Sequence, residues 1–136
     1  MSATTRQATR ISARTPVAGV LGATAAATAI WAVATTAGAE LTAGFGSGQP
    51  MEITVVSVVV AALLASLAGW GLLGLLRRFT AKARAVWTVT AMVAVLLSLG
   101  GPLSATASAG TKVSLVAMHL AVATVLIVVL RRTTPR

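Results

Sequence analysis

The sequence predicts an all-α fold: a polytopic membrane protein of four transmembrane helices in an up-down bundle, with both termini cytoplasmic. Three observations lead there. Of 136 residues, 57% are hydrophobic and only 10% charged, against about 25% charged in an average soluble domain. The charges are absent from four long runs, residues 15–39, 53–76, 85–111 and 113–130, and a hydrocarbon core about 30 Å thick is crossed by roughly 17–25 apolar residues as a helix. The basic residues, finally, gather in alternate connections.

The first span, placed at 17–39, is the weakest, with ten Ala, four Thr and three Gly among its 23 residues. Ala37-Gly38-Ala39 at its end has the A-x-A form of a signal cleavage site. The apolar stretch is nevertheless longer than the 7–15 residues usual in such signals, and its Ala/Thr composition suits a helix packed among others, so it is read as a retained span. Cleavage would leave the orientation of the other three unchanged. The second span, 53–76, opens on the β-branched ITVVSVVV. Its 24 residues, about 36 Å as a helix, decide against a barrel strand, which needs about 10 residues and alternates apolar with polar. The third, 85–101, is ended by Gly100-Gly101 and by Pro102, which disfavours helical geometry in the residue before it. The fourth is placed at 113–130. A basic tail over 1–14, expected to be disordered, and a short tail over 133–136 flank a transmembrane domain over 15–132.

The connections sort the charges. The N-terminal tail carries Arg6, Arg10 and Arg14, the link after the second span Arg77, Arg78, Lys82 and Arg84, and the C-terminal end Arg131, Arg132 and Arg136. With four spans these ten of 11 basic residues share one side, and Lys112, Glu40 and Glu52 take the other. Basic residues near span ends are retained in the cytoplasm, so both termini are read as inside; the expected location is the cytoplasmic membrane of a bacterium. The net charge of +9 then records topology and attraction to anionic lipid headgroups, at about 1 kcal/mol per residue. Nucleic acid is not an expected partner, because no folded cytoplasmic element is left to present the charge.

Composition also limits the chemistry. There is no Cys, no Tyr, one His and two carboxylates, which excludes disulfides and thiolate sites and leaves too few groups for acid–base or carboxylate-pair catalysis. We expect no enzyme, metal or cofactor. His119 is the one ionisable side chain well inside a span and is the candidate functional residue. On a helical wheel it falls nearly opposite the Ser114–Ala117–Ala121–Thr124 row, and a neutral imidazole in an interhelical hydrogen bond is expected. Glu40, Glu52 and Lys112 are read as interfacial charges, with at most a weak Lys112–Glu pair. With His119, the two acids are a chemically competent set for a divalent metal, but no ligand spacing within one element supports it.

Small residues at four-residue spacing let helix backbones approach in lipid. Gly19, Ala23 and Ala27 form such a row in the first span, Ala62, Ser66 and Gly69 in the second, Thr88, Ala91, Val95 and Ser98 in the third, and Ser114, Ala117, Ala121 and Thr124 in the fourth. They are read as seams of the bundle. Trp70 and Trp87 flank the basic link at the level of an aromatic belt, with Phe79 between them, and Trp31 lies deeper. The glycine run at 69–74 lacks the context of a nucleotide loop, and the connection after the first span reads as a Gly/Ser/Pro turn region. These features favour a non-catalytic structural or accessory module acting through helix–helix contacts with a membrane-protein partner or further copies of itself. The alternative is a small oligomeric transporter or channel subunit using His119 and the Ser/Thr faces.

The segment Ser98-Leu99-Gly100-Gly101-Pro102-Leu103-Ser104, then Lys112, Leu115, Met118-His119-Leu120 and a Val/Ile/Leu run closed by Arg131-Arg132, resembles a family of small actinobacterial membrane proteins catalogued as a domain of unknown function. A tryptophan in the first span and the Arg84, Trp87 entry to the third extend the similarity over 15–132. The resemblance implies four helices and brings no established activity and no catalytic residues.

Overall fold

The computed structural model describes residues 14–133. Apart from Arg14 and Thr133, the two expected tails lie outside the described residues. The elements in order are α1 (Arg14–Thr36), β1 (Thr42–Ala43), β2 (Met51–Glu52), α2 (Val55–Phe79), α3 (Ala83–Ser98), α4 (Gly100–Ser104) and α5 (Ala109–Arg132). Among the described residues four helices are long and apolar enough to cross a membrane: α1, α2, α3 continued by α4 over Ala83–Ser104, and α5. At about 1.5 Å per residue each reaches past a hydrocarbon core about 30 Å thick. Successive crossings gather Arg14, Arg77, Arg78, Lys82, Arg84, Arg131 and Arg132 at one end, called here the basic end. Glu40, Glu52 and Lys112 lie at the other, the hairpin end.

The third span does not stop at Gly101. Leu99, at φ −67° and ψ −20°, stays helical between α3 and α4, and Pro102 sits in the first turn of α4. Leu99 N–H still reaches the Val95 carbonyl (3.1 Å) and Leu103 N–H the Leu99 carbonyl (3.1 Å). The steric clash of proline with its predecessor acts partly through that residue's Cβ, and Gly101 has none. Pro102 therefore interrupts the ladder without ending the span.

The connection after α1 is also more ordered than a turn region. Helix α1 ends in a Schellman cap: Ala39 N–H donates to the Ala34 carbonyl (3.0 Å), Gly38 N–H to that of Thr35 (3.0 Å), and Gly38 takes φ +81°, a conformation glycine adopts without penalty. Strands β1 and β2 then pair antiparallel, Thr42 opposite Glu52 and Ala43 opposite Met51. Gly44 exchanges two backbone hydrogen bonds with Thr106 (3.0 and 2.9 Å), which ties the hairpin to the segment between α4 and α5. The Thr54 hydroxyl accepts from Ser57 N–H and starts α2. The Ser108 hydroxyl accepts from Thr111 N–H and starts α5.

Packing centres on α1, which lies against α5 and α2, while α3 lies against α2 and α5 on the far side. Three apolar clusters succeed one another along the bundle. Nearest the basic end Ala23, Leu73, Trp87, Leu126 and Leu130 meet. Ala27, Leu41, Val58, Ala62 and Met118 form the middle, and Ala43, Ala105 and Leu115 join the hairpin to α5.

Candidate functional site

The hairpin end holds both carboxylates of the chain. Glu40 and Glu52 line one open cleft of about 230 Å³ with Trp31, Thr35, Leu41, Thr42 and Ile53. Its walls are fixed by long-range hydrogen bonds. Trp31 Nε1–H donates to the Ile53 carbonyl (2.8 Å), and the Thr111 hydroxyl donates to the Glu40 carbonyl (2.7 Å) while lying 2.9 Å from the Ser108 hydroxyl. The acids are brought together by strand pairing that composition does not reveal. Lys112 is not paired with either: its Nζ donates to the Leu103 carbonyl (3.3 Å). It lies beside a separate apolar depression lined by Leu103, Val113, Val116, Ala117 and Leu120.

His119 stands apart from the cleft. Helix α5 begins at Ala109, four residues before the expected start, so His119 lies about 15 Å along the helix from its first residue. It is half-buried. Among the described residues it makes no interhelical hydrogen bond of the kind expected; Nδ1–H donates instead to the Leu115 carbonyl of its own helix (2.7 Å). In the neutral ring this leaves Nε2 as an acceptor. No group of three His, Asp or Glu side chains comes together among the described residues.

The remaining intramembrane hydroxyls are mostly spent in the same local way. Thr24, Thr28, Thr88, Thr90, Ser114 and Thr124 each donate to the carbonyl four residues earlier, at 2.7–2.9 Å. Ser66 differs. It is fully buried and its hydroxyl has no hydrogen-bond partner among the described residues; nothing in the structure explains this.

Of the expected seams, Gly19, Ala23 and Ala27 are buried, and so is Ser66. A Cβ on Gly19 would come within 2.9 Å of a Val129 methyl, so α1 and α5 approach closely there. Gly69 is half-buried with open space where a Cβ would stand; its carbonyl accepts the Trp87 indole N–H (2.9 Å). Ala117 and Ala121 are half-buried and lie off the buried face of α5, which is Thr111, Leu115, Met118, Leu126 and Leu130. Large residues of α5 seat against small ones of α1, so only one helix of the pair needs the small row. Trp87, 2% exposed, belongs to the core rather than to an interfacial belt.

At the basic end Arg78, Lys82, Arg131 and Arg132 are exposed and Arg84 is half-buried. Arg77 has a different task. Its guanidinium donates to the Thr133 carbonyl, so the last turn of α2 caps the end of α5, where a cation is favoured by the helix dipole. In sequence Arg77 and Arg78 look alike, and they differ only in the face of the helix they occupy.

These features define a class: a four-helix polytopic membrane protein whose bundle is closed at one end by a strand hairpin and rimmed at the other by basic side chains. The chain belongs to a family of unknown function (DUF6069), whose model covers residues 6–136, further into both tails than the resemblance read from the sequence. No curated protein and no solved structure matches it.

Proposed function

We propose that the chain is a non-catalytic accessory module of a bacterial cytoplasmic membrane, its basic end and both termini in the cytoplasm, acting through helix–helix contacts with a partner membrane protein. The observation that carries this reading is where the polarity goes. The imidazole and nearly all the hydroxyls within the spans bond to carbonyls of their own helix, so they are committed to local structure rather than aligned toward a solute. The orientation rests on the segregation of basic residues.

Two measurements test it together. Photo-cross-linking in cells from exposed positions of α3, such as Val93, is expected to recover a partner chain. Substitution His119→Ala is expected to leave ion and solute flux in proteoliposomes at the level of the parent protein. Recovery of lipid and self-contacts alone sinks the accessory reading, and a flux that His119→Ala abolishes replaces it with the transporter reading.

A further inference from the structure

The chain has only two acidic side chains, and both stand at the hairpin end, so no acidic side chain of this protein can neutralise the basic end. The Arg77–Thr133 hydrogen bond joins residues 56 apart and brings the last turn of α5, with Arg131 and Arg132, to the same rim as the last turn of α2 and the short α2–α3 connection. That connection is tight. Thr80 N–H closes α2 onto the Leu76 carbonyl (2.9 Å), and Lys82 N–H donates to the Thr80 hydroxyl (3.1 Å). Arg78 and Lys82 are thus held on a fixed turn rather than on a loose loop. Between them lies Phe79, 80% exposed, a large apolar side chain that the protein leaves uncovered.

Depth decides what such a surface meets. The 25 residues of α2 extend about 37 Å, beyond a hydrocarbon core about 30 Å thick, so its last turn lies at the headgroup level. There an arginine or lysine meets lipid phosphate while its stem, and an adjacent aromatic ring, remain in the acyl boundary. Nucleic acid or free phosphate would satisfy the cations but offers Phe79 nothing apolar to pack against.

We infer that the basic end is a binding surface for anionic lipid, with Arg78, Lys82, Arg131 and Arg132 holding headgroup phosphate, Phe79 seated among the acyl chains, and Arg77 acting as the positioning residue that brings the two helix ends together. This goes beyond the accessory role and does not depend on it, since the surface needs no protein partner.

Native mass spectrometry of the full chain in detergent, titrated with phosphatidylglycerol or with phosphatidylcholine, reads the preference directly. The parent protein is expected to retain phosphatidylglycerol selectively. Removing one surface cation should lower that preference about fivefold, and Arg78→Gln with Lys82→Gln together roughly 30-fold. Lys112→Gln, at the opposite end, should leave it unchanged. Arg77→Gln, which leaves the four surface cations in place but removes the bond to the Thr133 carbonyl, should lower the preference by separating the two helix ends, and Arg77→Lys should restore it in part. Equal retention of the two lipids by the parent, an unchanged preference in the Arg78/Lys82 double variant, or full displacement of phosphatidylglycerol by inorganic phosphate would each overturn the inference.

Discussion

Helices α1 and α3 are both spanning segments, yet the structure treats them in opposite ways. The first is dominated by Ala, Thr and Gly and buries Pro16, Gly19, Val20, Ala23 and Ala27 between α2 and α5. The second carries four Val, two Leu and a Met in its 16 residues, but buries only Ala83 and Trp87 and leaves Val89, Met92, Val93, Leu96 and Leu97 exposed. In water the order would be reversed. In lipid an exposed Leu loses nothing, because acyl chains are as apolar as another side chain, and burial goes to whichever helix lets backbones approach most closely. The helix with the fewest strongly apolar residues becomes the centre of the bundle.

The strongest test of this contrast is the one place where α3 does enter the core. Trp87 packs with Ala23, Leu73, Leu126 and Leu130 and its indole N–H bonds to the Gly69 carbonyl. Truncation Trp87→Ala should cost about 3 kcal/mol, the low end of the range for large aromatic deletions, since the transfer part is small in a bilayer. Thermal unfolding in detergent would read this, with Leu96→Ala on the exposed face of the same helix as control. If both substitutions lower the midpoint equally, α3 is packed along its whole length and the contrast with α1 fails.

Next in size is overfilling the α1 interface. Ala23 is 0% exposed, and Ala23→Leu inserts three carbons where neighbouring backbones and the α5 side chains already meet, a change that costs about 2 kcal/mol. The corresponding exposed exchange, Ala94→Leu on α3, should move the same melting curve very little. A tolerated Ala23→Leu would mean that α1 can shift outward at little cost.

The same physics governs how much of the fold is legible in the sequence. Four spans and their alternation are readable because a charge-free run long enough to cross the hydrocarbon core is rare in a chain that folds in water. Their ends are less so. Lys112 bounds the start of the fourth charge-free run, whereas α5 begins at Ala109 behind its Ser108 cap; the third run opens after Arg84, which lies inside α3. Long basic side chains carry their charge to the interface while their backbone stays helical, so a charge limits an apolar run without ending a helix. Gly100-Gly101-Pro102 misleads in the other direction, because glycine before proline relieves part of the clash that normally stops a helix. The cleft with Glu40 and Glu52 is invisible for another reason: it depends on the Thr42–Glu52 register, set by two residues on each strand. The split between Arg77 and Arg78 likewise depends on which of two adjacent residues faces the end of α5.

Glycine provides the smallest and most discriminating comparison. A methyl group on Gly19 meets Val129 at 2.9 Å, and valine is branched at Cβ and cannot swing away, whereas a methyl group on Gly71 meets nothing within 4 Å. Alanine is better than glycine in a helix interior by roughly 0.5–1 kcal/mol, so both substitutions start with the same intrinsic gain. At Gly71 that gain stands alone, and Gly71→Ala should raise the unfolding midpoint slightly. At Gly19 it is opposed by the clash, for which a separation of α1 from α5 costs of order 1–3 kcal/mol, and Gly19→Ala should lower the midpoint. The signs, rather than the sizes, carry the result. If both variants stabilise the protein, the α1–α5 approach is looser than the contact at Val129 indicates, and small residues in α1 would reflect composition rather than packing.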